Sequence, residues 1–138
     1  MDAPERFEQL IAFISTHLPG PIEQQPGAEG SLIFTGGSPG EVIVHLTQVS
    51  VTIAEYSGAW ETPSSFTVRP RRVGVLKWRR LPESELLSAL GQLIKGAREA
   101  RLARYRTCRF CGESSPPEWM DTDDVCVGCA DRQMDVVH

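Results

Sequence analysis

The chain has 138 residues, 41% of them hydrophobic and 23% charged, the balance of an ordinary globular protein and not of a disordered one. That length suits one compact domain or a small domain with an appendage, and no apolar stretch is long enough to cross a bilayer. The net charge of −4 conceals a segregation: residues 69–109 hold twelve of the fourteen Lys and Arg against three Glu, between two acidic flanks.

The first predicted element is a helix. Phe7, Leu10, Ile11, Ile14 and Leu18 recur at the spacing of one helical face, and Phe13 widens the stripe. Asp2 is placed to cap its start, Pro4 is tolerated in the first turn, and Pro19-Gly20-Pro21 ends it. Residues 23–30 read as a loop. Short strands are expected over 31–35, 41–46, 49–56, 66–69 and 73–79. Gly36-Gly37-Ser38-Pro39-Gly40 separates the first two; it lacks a following Lys-Ser/Thr and leads into no helix, so it reads as a hairpin turn and not a phosphate loop. Thr47-Gln48 suits a tight hairpin. Behind it Val49, Val51 and Ile53 alternate with Ser50, Thr52 and Ala54, as in a half-buried antiparallel strand. Residues 57–65, rich in Gly, Pro and Ser, read as a loop that carries Trp60.

Trp78 lies among Lys77, Arg79 and Arg80, a mixture that suits single-stranded nucleic acid, where a ring stacks and cations meet phosphate. Strand alternation turns it away from Lys77 and Arg79, so core packing is the expectation. A long helix then starts at Pro82-Glu83-Ser84-Glu85, with acids at its positive end. Leu86, Leu87, Leu90, Leu93, Ile94 and Ala97 form its buried stripe; Arg98, Arg101, Arg104 and Arg106 follow, just before Cys108. The predicted fold class is α+β: an antiparallel sheet of five strands with an N-terminal and a C-terminal helix on one face, over residues 1–105, and a small metal-binding module over 106–138.

All four cysteines stand in that module as Cys108-x2-Cys111 and Cys126-x2-Cys129, with fourteen residues between the pairs. Two residues between ligands let one tight knuckle aim both sulfurs at one ion, and the spacer is long enough to bring the second knuckle opposite the first. Gly112 and Gly128 suit the cramped turns beside it. Four thiolates in a tetrahedron are a preferred set for zinc. An iron–sulfur cluster also uses four cysteines, but this spacing matches structural zinc better. A redox Cys-x-x-Cys pair needs a β-α-β context that is not visible here. With all four ligands cysteine, no coordination position is left for water, so the expected ion is structural and not catalytic. Such small modules gain roughly 10–16 kcal/mol on binding zinc.

The run Cys-Arg-Phe-Cys-Gly-Glu-x-x-Pro-Pro-Glu from Cys108 to Glu118, with a second Cys-x-x-Cys opening a short helical tail, resembles four-cysteine zinc fingers of the treble-clef and zinc-ribbon classes. Over residues 106–134 it is similar to the finger of the DksA/TraR regulators, in which a helix also runs directly into the first knuckle and which bind RNA polymerase. The resemblance implies Cys108, Cys111, Cys126 and Cys129 as ligands. It departs in a shorter spacer and in a preceding sheet domain where those regulators have a coiled-coil hairpin.

Other residues suggest less. His17 lies near the end of the first helix, His45 in a strand, and His138 at the chain end. Asp121, Asp123 and Asp124 lack the glycine and distal glutamate of a calcium loop and read as a solvated acidic turn. Trp119, beside Pro116-Pro117-Glu118, is suited either to docking the module on the main domain or to anchoring a partner. No serine or cysteine nucleophile comes with a base, so no enzyme is expected. The leading expectation is a non-catalytic, zinc-binding cytoplasmic protein, since the start Met1-Asp2-Ala3-Pro4-Glu5 lacks secretory-signal features. Its expected partner is nucleic acid or a nucleic-acid-handling complex, not a membrane, with Arg98, Arg101, Arg104, Arg106 and Arg109 on phosphates. The alternative is a protein–protein adaptor using the finger and Trp119. The charge segregation itself is also explained if opposite-sign segments lie against each other.

Overall fold

The computed structural model describes residues 3–137, with side chains through residue 132; Asp2 and His138 lie outside the described residues. Helix α1 runs over Ala3–His17 and buries Leu10 and Ile14. Five strands form one antiparallel sheet: β1 (Ile22–Pro26), β2 (Leu32–Gly36), β3 (Val42–Leu46), β4 (Val51–Glu55) and, after a separate two-stranded hairpin of β5 (Gly58–Thr62) and β6 (Ser65–Val68), β7 (Arg71–Leu76). The spatial order is β1-β2-β3-β4-β7. Helix α2 spans Glu83–Ala103. The fold class is α+β.

Period-two alternation decides which face of the sheet is dry. The pairings Phe34↔Val44 and Val44↔Ile53 line up one row across β2, β3 and β4, and all three side chains are fully buried. Val42, Leu46 and Val51 share that core with Leu10 and Ile14 of α1 and with Leu86, Leu90, Ile94 and Ala97 of α2. Burying a side chain of this size stabilises the fold by about 1.5–3 kcal/mol, so this layer is the main source of stability. Trp78 closes one end of it. Its ring is fully buried and tilted 6.1 Å from Phe7, and its Nε1 donates to the Thr47 carbonyl at 2.9 Å.

Several expectations about strands are corrected. Residues 22–26 form an edge strand where a loop was expected from residue 23. Its sequence Ile-Glu-Gln-Gln-Pro shows no apolar alternation because it is mostly exposed and takes its order from backbone pairing with β2. Pro26 is tolerated at that margin. Residues 58–62 also form a strand, and their partner is β6, so residues 66–68 leave the main sheet for a small hairpin. The strand expected over 73–79 stops at Leu76, and Trp78 reaches the core from a 3-10 turn over Trp78–Arg80. Val49 falls in the β3–β4 turn, 57% exposed, where the Thr47 hydroxyl accepts from the Val49 and Ser50 amides.

Candidate metal centre and the seam beside it

Behind α2 the chain makes two short strands, β8 (Arg106–Thr107) and β9 (Ser114–Ser115), with the first cysteine pair on the turn between them. Gly112 sits there at φ +75°, a conformation that disfavours any side chain, and its amide closes the turn on the Cys108 carbonyl at 2.9 Å. A 3-10 turn over Pro117–Trp119 leads to β10 (Met120–Thr122), which pairs with β11 (Val125–Cys126). Helix α3 (Val127–Val137) follows at once, so the second pair straddles a strand end and the first turn of a helix.

The four Sγ atoms lie within 4.8 Å of one another, and the Cys111 and Cys126 sulfurs are 3.9 Å apart. A tetrahedron with metal–sulfur bonds of about 2.3 Å has S···S edges near 3.8 Å, so the cluster can hold one metal ion. All four thiols are free of disulfides. Cys108 and Cys129 are buried while Cys111 faces solvent. Amides reinforce the sulfurs: Phe110 N donates to Cys108 Sγ and Cys129 N to Cys126 Sγ, each at 3.4 Å. The Arg132 guanidinium adds a bond of 2.9 Å to Cys129 Sγ.

The thiols are held unequally. Amide hydrogen bonds from Cys126, Cys111 and Phe110 outweigh burial and lower Cys108 to about 6. Burial, then hydrogen bonds shared with Cys126, Cys108 and Cys111, pushes Cys129 up to about 12. For Cys111 the Glu113 amide pulls downward, but burial and the neighbouring sulfurs leave it above the ordinary thiol value. The Cys108 thiolate is ready at neutral pH; Cys111 and Cys129 need the positive charge of an ion to give up their protons.

The cysteine segment is fastened to the sheet and α2 by residues whose pairing sequence reasoning missed. Glu118, in the spacer between the cysteine pairs, faces Arg101 of α2. Arg101 Nη1 donates to Glu118 Oε2 at 3.0 Å, and Nη2 makes a second, shorter bond to Oε1. Arg101 is 1% exposed and lies between the rings of Tyr56 and Tyr105, at 5.1 and 5.4 Å, with its Nε on the Gly40 carbonyl at 2.9 Å. Trp60, from the β5–β6 hairpin, donates its Nε1 to the Glu118 carbonyl at 2.9 Å. One residue of the spacer thus receives three donors, two from α2 and one from the β5–β6 hairpin.

The arginines expected on phosphates occupy varied positions. Arg98 pairs with Glu41 of the β2–β3 turn at 2.9 Å and Arg104 with Glu55 at the end of β4 at 2.6 Å, both acids being nearly buried. Arg101 is enclosed and is not a surface cation, because helical periodicity continues the stripe of Leu86, Leu90, Ile94 and Ala97 onto it. Arg109 stands 3.8 Å from Asp124, both well exposed, and Arg106 is exposed and, among the described residues, meets only the Tyr105 carbonyl at 3.4 Å. Trp119 is 51% exposed and Trp60 53%; both line one cleft of about 650 Å³ where the hairpin meets the module. His17 caps back on the Phe13 carbonyl and His45 bonds Ser31 Oγ, and among the described residues neither joins the sulfur cluster. Asp121 and Asp123 are exposed. Among the described residues no helix is long and apolar enough to cross a membrane.

Fold and site together define an α+β protein with a four-cysteine centre that can hold a metal ion. Compared with family models, curated proteins and solved structures, the chain matches none.

Proposed function

We infer that this is a non-catalytic zinc-binding protein that works by docking a protein partner at the seam between its cysteine module and its sheet domain. The tetrahedral sulfur set supports zinc, and a shell closed by four thiolates supports a structural role for it. On this reading residues 106–134 form a four-cysteine zinc finger, with Cys108, Cys111, Cys126 and Cys129 as ligands. The observation that carries the binding half is the cleft with two half-exposed indoles, one from each part of the chain. Tryptophan dominates the energetic centres of interfaces, and an indole left in water at such a seam is matched to a partner. Elemental analysis of protein purified without added metal is expected to return about one zinc per chain. Co-purification from nuclease-treated lysate by the wild type and by Trp119→Ala is then expected to differ in at least one partner. Equal recovery of every partner rejects the docking surface.

A second reading, a nucleic-acid surface, rests on different cations from those expected. Arg71, Arg72, Lys77 and Arg80, on β7 and the turn behind it, are exposed and meet no acid among the described residues. Binding to random DNA or RNA that weakens steeply from low to moderate salt supports it, and no binding at low salt removes it.

A further inference from the structure

The cleft shared by Trp60 and Trp119 is charged on one side only. Its wall includes the side chain of Val127, 44% exposed, and three carboxylates, Glu113, Glu118 and Asp121, but no Lys or Arg. Glu118 is neutralised by Arg101. Glu113 and Asp121 are exposed and form no ion pair among the described residues, although Asp121 also borders a second cleft that holds Arg71, Arg104 and Arg106. The apolar floor is also set in advance: Trp60 is pinned through Nε1 to the Glu118 carbonyl, and Phe66 tilts against its ring at 5.1 Å. A ring ordered before its ligand arrives loses little freedom on binding, which favours affinity.

We propose that this cleft takes a short peptide segment of a partner protein in which a Lys or Arg stands beside an aliphatic or aromatic side chain. The apolar side chain lies against the two indoles and Val127, and the cation meets Glu113 and Asp121 at the rim. A cation over an exposed indole adds to the same preference. An acidic peptide meets like charge here. A nucleic-acid strand finds rings to stack on but carries its phosphates past carboxylates, so it fits this cleft poorly. The proposal rests on the docking reading above and adds the chemistry of the partner.

The test uses the full, zinc-loaded chain and labelled synthetic peptides in three pools with the same apolar anchor. Its neighbours are Lys and Arg in one pool, Gln and Ser in the second, Asp and Glu in the third; a short poly(U) strand is the fourth probe. Fluorescence anisotropy is expected to rank the basic pool about tenfold or more above the neutral one and to show affinity falling with salt. Trp119→Ala is expected to weaken it about thirtyfold. Glu113→Gln with Asp121→Asn, two exposed changes that leave the fold intact, is expected to erase the preference. Neutral or acidic pools binding as tightly, or a basic preference that survives the double variant, overturn the partner chemistry; the docking reading then stands if Trp119→Ala still weakens binding. No pool binding, binding indifferent to Trp119→Ala, or poly(U) competing for the cleft, brings down both.

Discussion

Replacing Glu118 with alanine takes away the carboxylate that faces Arg101 and leaves a guanidinium that is 1% exposed. Removing one member of a buried, hydrogen-bonded ion pair costs about 3–5 kcal/mol, chiefly because the remaining charge stays out of water. Arg101 keeps the Gly40 carbonyl at 2.9 Å and the Tyr56 and Tyr105 faces, which soften that loss. The Trp60 bond survives too, because Glu118 accepts it through its backbone. The expected loss is therefore the lower end, about 3 kcal/mol, or a fall in melting temperature of roughly 10 °C for a chain of this size. Urea and thermal unfolding at saturating zinc, followed by circular dichroism and by tryptophan emission, measure it. Glu118→Gln, which retains one acceptor, should lose less. The effect should persist in high salt, since enclosed pairs are poorly screened, unlike that of the exposed Arg109–Asp124 pair. A loss below about 1 kcal/mol, or one that salt abolishes, refutes the claim that this pair fastens the module.

Three further outcomes follow from the same geometry. Cys129→Ser should abolish metal binding and raise hydrogen exchange across residues 106–132, while the sheet domain, which has its own core, retains its protection. Metal affinity should rise with pH: between pH 7 and 8 Cys108, at about 6, is already ionised, whereas Cys129, at about 12, and Cys111, held above the ordinary thiol value, must each release a proton. Chelator competition should show a gain of at least about 100-fold over that pH unit, with metal lost on acidification, and a slope below one proton contradicts the assignment. Trp78→Ala should cost about 3–5 kcal/mol in urea unfolding, because the ring is fully enclosed and its removal takes the Nε1 donor from the Thr47 carbonyl.

Local pattern was enough for the elements whose burial is one-sided. The stripes of α1 and α2, the β3–β4 hairpin and the cysteine knuckles are written in spacings of three, four or two residues. The strands that were missed lack such a pattern for a physical reason. β1 lies at a sheet edge and β5 in a hairpin outside the sheet, so neither has a dry face to enforce alternation, and backbone pairing alone orders them. Val49 shows the opposite failure: it continues an alternating pattern into a turn, where the Thr47 hydroxyl gives the backbone better partners than a longer ladder.

The four-cysteine cluster was legible because each pair is only three residues apart in the chain, whereas the seam was not, because its parts lie 58 residues apart between Trp60 and Glu118. One clue was present. Extending the stripe of Leu86, Leu90, Ile94 and Ala97 by one more turn lands on Arg101, and a buried guanidinium requires a buried acid. Arg98, Arg101 and Arg104 are three residues apart and share one helix flank, so their partners must come from whatever packs there. The fold supplies Glu41 from one turn, Glu55 from a strand end and Glu118 from the cysteine module. The basic middle of the chain and its acidic flanks are thus joined pairwise across α2. Of the three acids only Glu118 lies in the spacer between the two cysteine pairs. Loss of metal should therefore release Arg101 before Arg98 or Arg104, and the cleft at Trp60 and Trp119 should exist only while the four sulfurs are held together.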